Sequence, residues 1–496
     1  MASSADPSGG RSAADDASRG SAIKLGAELL GRLIAVATTL MVARILGVAE
    51  FGLFAVLSGV AVIVAELADL GIQGIAVQAL VSGTILLRAL VRTKLRLTAA
   101  LVLAAALAPP VVSAMAALAP AAWRSSWDVL LRRMPLLFPL IVYSGMVGWA
   151  ELLGIALRVR GRRALEAVTI VTLRASGLAL AAAALWSGTG LRGLVWAMAL
   201  STAPPVALAA ALLARTSPAA SGPSAEPVGA GVGPTLKASF PLAINGGLAL
   251  LSLRIELLAL ALLRGSREAG LFAAALKVVE LVNVVPAAIA AGAMPALTRE
   301  AARGTGPVRR RTAVTAALLA APAAAGIILV APGLVMLLGG GYAPAAGPLR
   351  VLAPALLALF MNTILLHALV AAGRARRLPV LTAWRVAAAA LFAVVLIPPL
   401  GATGAAAGFL AAELLLLVLA ARACGAAGFE VPVARSLSAG LGVTLPMAAA
   451  VAIAGTGPVG SIAVGIVTYA LTLVLARRLA PRLIPGLASE ALPGGR

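Results

Sequence analysis

Long apolar segments recur along nearly the whole chain and constrain its fold more than any other feature. Fourteen of them are about twenty residues long, at 23–43, 51–72, 97–118, 130–152, 165–186, 193–214, 238–263, 270–296, 312–338, 348–371, 378–399, 404–421, 434–454 and 459–476. Segments of this length cross a bilayer as α-helices, which satisfy their own backbone polar groups. Only 12% of residues are charged, about half the share in a soluble domain. We therefore predict an all-α polytopic membrane protein with about 14 transmembrane helices.

Basic residues are distributed unevenly between alternate connections of these segments. If the N-terminus is cytoplasmic, 27 of the 40 Lys and Arg residues lie in cytoplasmic segments and 8 on the opposite side. Cytoplasmic connections of membrane proteins carry such an excess, so we predict that both termini are cytoplasmic. The formal net charge of +22 would suggest nucleic acid in a soluble protein. Here it indicates contact with membrane lipids, and we expect no nucleic-acid partner.

A short motif occurs once in each half of the chain. At an offset of 218, Gly47, Glu50, Gly52, Leu53, Phe54 and Ala55 match Gly265, Glu268, Gly270, Leu271, Phe272 and Ala273. A second echo, ALRVRGR at 156–162 and ALVAAGR at 368–374, has an offset of 212. Six spans separate the copies, so both copies keep the same orientation in the membrane. This pattern predicts a parallel repeat of two lobes related by an axis along the membrane normal, an architecture suited to alternating access.

The spans and the repeat together predict the domain organisation. We expect a disordered cytoplasmic N-terminus at 1–22, an N-lobe of spans 1–6 at 23–214, a cytoplasmic linker at 215–237 rich in Pro, Gly and Ser, a C-lobe of spans 7–12 at 238–421, spans 13 and 14 at 422–480, and a cytoplasmic tail at 481–496. The predicted architecture is two pseudo-symmetric six-helix lobes with two additional C-terminal helices.

Several of these stretches also resemble a known family. ARILGVAEFGLFAV at 43–56 with ADLGI at 68–72 is similar to the opening of bacterial polysaccharide flippases. NTILLHALVAAGRARRL at 362–378 and IPPLGATGAAAGFLAAE at 397–413 resemble the tenth to twelfth spans of the same proteins. These flippases belong to the multidrug/oligosaccharidyl-lipid/polysaccharide exporter superfamily. The resemblance implies a V-shaped pair of lobes that moves a lipid-linked oligosaccharide from the cytoplasmic to the outer leaflet.

The lipid II flippase of peptidoglycan synthesis is a relative within this superfamily, also with fourteen spans. Its first span carries two cavity arginines before a similar Ala-Arg-x-x-Gly sequence. Arg32 stands where the first arginine would be, and Thr38 stands at the second. This departure favours the polysaccharide branch over a role in peptidoglycan synthesis.

Ionisable residues inside the predicted spans are candidates for substrate contact, because a charge within the membrane is costly. Arg32 continues a helical stripe with Lys24 and Glu28, and Arg174 and Arg385 lie on equivalent spans. An arginine fork suits a diphosphate headgroup. The predicted substrate-binding residues of the central cavity are Arg32, Arg174, Arg254, Lys277, Arg385, Asn245 and Asn283. The alternative for the charged members is structural pairing with neighbouring carboxylates such as Glu256 and Glu280.

Three carboxylates are candidates for coupling transport to an ion. Glu66 and Asp69 share one face of the second span, and Glu413 has no obvious partner on its own helix. A proton or a sodium ion is the expected coupling ion. One Cys and one His exclude an internal disulfide and a Cys- or His-based metal site, and we expect no other cofactor.

The sequence lacks the features of a membrane enzyme that acts on lipid-linked sugars. It shows no paired carboxylates at the outer face, no nucleophile elbow and no metal ligands. A drug/cation antiporter of the same superfamily remains an alternative, although basic residues within spans suit an anionic substrate. We therefore predict a flippase for polyprenyl-diphosphate-linked oligosaccharides in the bacterial cytoplasmic membrane. It would act beside a polysaccharide polymerase and glycosyltransferases in making surface polysaccharide.

Overall fold

A computed structural model describes the backbone at residues 7–69, 71–73, 76, 80, 87–117, 132–216, 232–303 and 307–479. Across this part of the chain the structure is almost entirely helical and contains no strand. The helices are α1 Pro7–Asp69, α2 Leu87–Ala117, α3 Leu137–Val159, α4 Arg163–Trp186, α5 Gly190–Ser201, α6 Ala203–Arg215, α7 Val232–Arg264, α8 Ser266–Val282, α9 Val284–Arg303, α10 Val308–Met336, α11 Ala346–Leu352, α12 Ala355–Ala371, α13 Leu378–Gly425, α14 Val433–Ala454 and α15 Pro458–Leu479. Short 3₁₀ turns lie at Met134–Leu136, Gly340–Ala345 and Ala375–Arg377.

Ten helical stretches among these residues are long and apolar enough to cross a membrane. An eleventh candidate is the broken span of Gly340–Leu352 and Ala355–Ala371, which is bent by 49°. The count is below fourteen partly because α1 and α13 each contain two of the predicted spans in one continuous stretch. The prediction of an all-α, multi-pass membrane protein is confirmed.

Two glycines mark the points where α1 and α13 turn between their paired spans. Gly47 has φ 73° and ψ 176°, and Gly401 has φ 57° and ψ −132°. Both conformations lie outside the helical region and favour glycine. At Gly401 the Glu268 carboxylate accepts a hydrogen bond from the Ala402 N–H (2.8 Å), and Arg264 donates to the Pro398 carbonyl (3.0 Å). Side chains thus satisfy backbone groups at this break in the helix.

The chain divides into two compact units. Unit 1 contains Met1–Leu46 and Leu57–Leu250, and unit 2 contains Gly47–Val56 and Leu251–Arg496. The division within the second half of the chain falls inside α7, between Leu250 and Leu251. The predicted linker at 215–237 lies mostly outside the described residues, and α7 begins already at Val232.

Helix α1 begins earlier than the sequence predicted. The segment 1–22 was expected to be disordered, but the backbone is helical from Pro7 onwards. Helix propagation adds one hydrogen bond for each residue fixed and avoids a new nucleation step. An Ala- and Ser-containing segment can therefore continue the helix of the apolar span that follows it. The predicted tail at 481–496 lies outside the described residues.

Two spans that were predicted to be continuous are interrupted in the structure. The span at 193–214 consists of α5 and α6, which are separated at Thr202. The span at 270–296 consists of α8 and α9, which are separated at Asn283. Neither site has a glycine at the break, and Pro204 and Pro286 fall just after it, where a missing N–H is tolerated because first-turn donors have no helical partner.

Within unit 2 the two copies of the repeated motif pack against each other. A Cβ atom added at Gly52 would lie 2.5 Å from the Gly270 nitrogen and would also collide with the Ser266 carbonyl. A Cβ atom added at Gly270 would collide with the Val48 carbonyl. The two equivalent glycines therefore allow backbone-to-backbone contact. Phe51 adds an edge-to-face contact with Tyr342, with ring centroids 6.0 Å apart.

Candidate functional site

Two predicted arginines in unit 1 are solvent- or lipid-accessible and lie near one another in the fold. Arg32 on α1 and Arg174 on α4 are both exposed. The Cγ atom of Arg174 lies 3.3 Å from the position that a Cβ atom would occupy at Gly31. Among the described residues neither guanidinium has a carboxylate oxygen within 4.0 Å. The structure therefore brings Arg174 beside the helical turn that carries Arg32, and neither cation has an ion pair within the part of the chain that the structure describes.

A mixed-charge cluster lies close by in unit 1, formed by α1, α2 and α3. Asp69 and Lys94 form a buried ion pair, and the Gln73 N–H donates to the other Asp69 carboxylate oxygen at 3.2 Å. Glu66 and Lys94 are within electrostatic range of Glu151. Asp69 and Lys94 also line a small cavity with Ala65, Ala68, Leu97, Thr98, Leu101 and Gly145. Glu66 and Asp69, predicted as a pair of ion-coupling residues, thus differ: Lys94 neutralises Asp69.

Glu166 is a buried carboxylate that the sequence analysis did not single out. Arg158 binds it through both Nε and Nη2, and Lys24 lies 3.2 Å from it. These contacts join α1, α3 and α4 at one end of unit 1. The spacing of eight residues between Arg158 and Glu166 spans a turn between two helices, so helical periodicity could not reveal the pair. Lys24 also lies 3.7 Å from Glu28, as the predicted stripe implied.

The first charged cluster of unit 2, which we call the cationic cluster, contains Arg254, Lys277, Glu280 and Asn283. Arg254 and Lys277 each contact one oxygen of Glu280, at 3.1 Å and 2.7 Å. The Arg254 Nε and the Asn283 Oδ1 are buried without a hydrogen-bond partner among the described residues. Two cations share one carboxylate, so the cluster carries one excess positive charge. The cluster therefore combines structural ion pairs with one positive charge that no carboxylate of the cluster neutralises.

The second charged cluster of unit 2, the buried acidic cluster, surrounds Arg385. The Arg385 Nε donates to Glu413 at 2.8 Å, its Nη1 donates to the Ser252 carbonyl, and its Nη2 lies 3.5 Å from Glu256. Asn362 donates to the other Glu413 oxygen at 2.8 Å. Arg385, Glu256 and Glu413 are 1%, 0% and 3% exposed. Arg385 and Glu413, predicted for separate roles, form one enclosed ion pair.

Helix α7 separates the two clusters by the direction of its side chains. Arg254 and Glu256 are two residues apart, so they point to opposite sides of the helix. Arg254 joins the cationic cluster, whereas Glu256 faces Arg385. With both carboxylates ionised, the buried acidic cluster carries a net charge of −1, and both Glu256 oxygens lack a hydrogen-bond partner. The charges of α7 and α8 sum to zero along the sequence, but the structure divides them: Glu256 faces Arg385, whereas the others belong to the cationic cluster.

The remaining predictions for the site concern Asn245 and metal binding. Asn245 lies in the first part of α7, but its side chain is outside the described residues. Within the described ranges, no group of three or more His, Cys, Asp or Glu residues is placed to hold a metal ion.

No protein-family model and no curated protein matches this sequence. Solved structures do match. A structure of the lipid II flippase MurJ in an inward closed conformation has a TM-score of 0.69 at 10% identity, covering 92% of this chain and 98% of the flippase. An inward-facing multidrug resistance MATE family transporter of the MOP superfamily has a TM-score of 0.59 at 16% identity, covering 82% and 98%.

A MOP superfamily transporter from Pyrococcus furiosus, for which the reverse polarity of its binding pocket suggests a different function, has a TM-score of 0.52. Its identity is 16%, with 86% of this chain and 96% of the transporter covered. At these identities the likeness establishes the fold alone. The chain is a polytopic helical membrane protein with the fold shared by the MurJ and MATE structures.

Proposed function

We propose that this protein is a flippase that moves polyprenyl-diphosphate-linked oligosaccharides across the bacterial cytoplasmic membrane by alternating access of two lobes. The observation that carries the proposal is the excess of positive charge at accessible positions within the helices. Arg32 and Arg174 have no ion pair among the described residues, and the cationic cluster of unit 2 holds two cations against one carboxylate. Placing a cation within the membrane costs free energy, so a cation found there is a candidate functional residue. A diphosphate headgroup would offset that cost by accepting charge-assisted hydrogen bonds from these cations.

The fold supports a transporter of this kind. Both the lipid II flippase and the MATE transporters share it over most of this chain. For the Pyrococcus furiosus transporter, the reverse polarity of the binding pocket suggests a different function. A basic lining would favour an anionic lipid-linked substrate over the cationic substrates of a drug/cation antiporter. The product would pass to a surface-polysaccharide polymerase, and glycosyltransferases would supply the substrate.

The buried acidic cluster is our candidate for the coupling-ion site. Its net charge of −1 is enclosed among apolar helices, where an unneutralised charge is strongly unfavourable. One bound proton or sodium ion at Glu256 would neutralise the cluster, because neither oxygen of this carboxylate has a hydrogen-bond partner among the described residues, although the Arg385 Nη2 lies 3.5 Å from one of them. We therefore propose Glu256 with Glu413 as the coupling pair of unit 2. In unit 1 Glu66 is the better candidate, since Asp69 is already paired with Lys94.

A lipid II flippase is the second candidate, because the MurJ structure has a TM-score of 0.69 with this chain. Lipid II also presents a polyprenyl diphosphate, so the cationic residues alone do not separate the two substrates. Thr38 hydrogen-bonds to the Ile34 carbonyl of its own helix at 2.8 Å and offers no cation. A substrate comparison must therefore decide between the two.

The test is leaflet exchange of fluorescent substrates in proteoliposomes, detected by quenching of the outer leaflet with dithionite. The substrates would be a labelled polyprenyl-diphosphate oligosaccharide, labelled lipid II and a labelled polyprenyl monophosphate. We expect rapid flipping of the diphosphate oligosaccharide and a loss of roughly tenfold or more for Arg32→Ala and Arg174→Ala, as for a lost charge-assisted bond. Arg192→Ala, an exposed arginine at the start of α5, serves as the matched control.

Each other outcome has a distinct meaning. Flipping of lipid II in preference to the oligosaccharide would move the assignment to the second candidate. Uptake of ethidium with no lipid flipping would favour the antiporter. If Arg32→Ala and Arg174→Ala flip the oligosaccharide as fast as Arg192→Ala does, the headgroup role of these arginines is wrong. For the coupling site, Glu256→Gln should remove the dependence of flipping on an imposed proton or sodium gradient while leaving downhill exchange.

A further inference from the structure

Helix α10 contains two prolines, each of which frees a carbonyl group from the helical hydrogen-bond ladder. Pro322 and Pro332 lie within Val308–Met336. Proline has no N–H, so the carbonyl four residues earlier loses its helical donor. The two carbonyls concerned are those of Leu318 and Ile328. Bends in helices concentrate at such positions.

Both freed carbonyls accept a hydrogen bond from a side chain on another helix. The Tyr469 hydroxyl of α15 donates to the Leu318 carbonyl. The Arg350 Nε of α11 donates to the Ile328 carbonyl at 3.4 Å. The Tyr469 contact is partly buried and the Arg350 contact is exposed, so the Leu318 carbonyl depends more on its side-chain donor than the Ile328 carbonyl does. Each proline position in α10 is therefore restrained by one side chain.

Helices α14 and α15, which form spans 13 and 14, pack against α10 at the same two levels. A Cβ atom added at Gly440 of α14 would lie 2.5 Å from the Ala317 carbonyl oxygen, next to Leu318. The Pro458 side chain at the start of α15 occupies the space beside Gly333, next to Pro332. A shared apolar cluster of Val314, Leu318 and Val443 with Tyr469, Leu473 and Ala476 completes the contact. The C-terminal helix pair thus covers both proline positions.

We propose that α10 is a hinge helix and that the C-terminal helix pair is its latch, with Tyr469 as the residue that holds the Pro322 position straight. Breaking the Tyr469 bond leaves the Leu318 carbonyl without a donor, because Pro322 has no N–H, and removes a restraint on bending at this position. This assigns spans 13 and 14 a role in the conformational cycle. The latch is defined by contacts within unit 2, and only its use in transport rests on the proposed function.

The first test is hydrogen exchange on the protein in detergent, comparing four variants. Tyr469→Phe should accelerate exchange in residues 316–323 of α10 by roughly tenfold, as for loss of a buried hydrogen bond. In a Pro322→Ala background the alanine N–H can bond the Leu318 carbonyl, so adding Tyr469→Phe should change nothing. Thr472→Val is the control, because the Thr472 hydroxyl bonds only to Thr468 in its own helix at 2.8 Å. Equal effects of Tyr469→Phe in both backgrounds, or no effect, would overturn the latch.

The second test measures the bend directly by electron spin resonance between labels at Arg310→Cys and Met336→Cys. A straight helix places these positions about 39 Å apart, at about 1.5 Å for each residue. Tyr469→Phe should add a shorter, broader distance population, and Pro322→Ala should remove it. If the bend appears but oligosaccharide flipping is absent in every variant, the hinge stands and the proposed substrate fails. If flipping occurs and the distance never changes, the hinge is wrong and the proposed function stands.

Discussion

Arg385 is a buried charged residue, and its burial determines how much its substitution should destabilise the fold. It is 1% exposed and bonds Glu413, Ser252 and Glu256 together, with its guanidinium 4.9 Å from the centre of the Phe409 ring. Replacing one partner of a buried ion pair leaves an uncompensated charge, which typically costs about 3–5 kcal/mol. Arg385→Ala should therefore lower the free energy of unfolding by about that amount. Thermal unfolding in detergent measures it, with the exposed Arg376→Ala as the control.

A second prediction concerns Glu256 and Glu413, the two carboxylates that contact Arg385. Combining Arg385→Ala with Glu256→Gln and Glu413→Gln removes the repulsion between two buried anions and should restore a large part of the lost stability. A triple variant no more stable than Arg385→Ala would show that packing of the arginine, not its charge, dominates.

Asp69 and Lys94 form a second buried ion pair, in unit 1, whose contribution to stability can be measured. Both side chains are buried and in contact, with 4% and 6% of their side-chain surfaces exposed. Asp69→Asn and Lys94→Met should each destabilise the fold, because each leaves a buried charge alone. The double variant should lose less than the sum of the two singles by about 1–3 kcal/mol, the usual coupling of contacting residues. Additive losses would mean that the two charges do not stabilise each other.

The sequence could identify which residues carry charge within the helices, but not their partners. It placed Arg254 and Lys277 near carboxylates, and Glu280 three residues from Lys277 follows from helical periodicity. The contact between Arg385 and Glu413 joins residues 28 apart on α13, and that between Arg385 and Glu256 joins residues 129 apart. A single sequence contains no signal for such long-range pairs. The Lys24–Glu166 contact is also long-range, whereas the Arg158–Glu166 contact was missed because it crosses the turn between two helices.

The repeated motif gives each helix that contains it a glycine at a close contact. Gly52 and Gly270 are equivalent residues, and each meets the backbone of the other copy. Substitution of either by alanine must push backbone against backbone, which typically costs about 1–3 kcal/mol. We expect Gly52→Ala and Gly270→Ala to lower thermal stability by similar amounts. Gly26→Ala, where an added Cβ meets nothing within 4 Å, is the matched control, and a similar loss in that variant would refute the close-contact explanation.

The extents of the helices followed from the sequence better than their breaks did. Apolar runs of membrane length define a helix because every backbone group must be bonded within it. The position of a break depends instead on which neighbouring side chains can hydrogen-bond to the backbone groups that the break leaves without helical partners. Glu268 and Arg264 do this for Gly401, and both come from outside the helix that breaks. The breaks at Thr202 and Asn283 have prolines just after them, but prolines such as Pro322 also lie inside unbroken helices, so a proline alone does not locate a break.

The division of the whole chain into two units matches the repeat only in outline. The sequence repeat suggested a boundary in the Pro-, Gly- and Ser-rich segment between spans 6 and 7. The structure divides α7 itself and assigns Gly47–Val56 to unit 2. The reason lies in contacts: Glu66 and Leu67 of α1 lie near Gly246 and Gly247, while residues from Ser252 onwards contact Arg385 and its neighbours. A repeat reports common ancestry of segments, whereas units report packing.

The charge distribution predicts the orientation of the molecule in the membrane, and that prediction can be tested by labelling. With 27 of 40 basic residues in segments predicted to be cytoplasmic, we expect the turn at Arg162 inside the cell and the turn at Ser187 outside, both being exposed. A membrane-impermeant maleimide should label Ser187→Cys in intact cells and Arg162→Cys only after lysis. The native Cys424 is buried, so it should contribute little background. Labelling in the opposite order would invert the topology, and the proposed flippase would then have to work from the other side of the membrane.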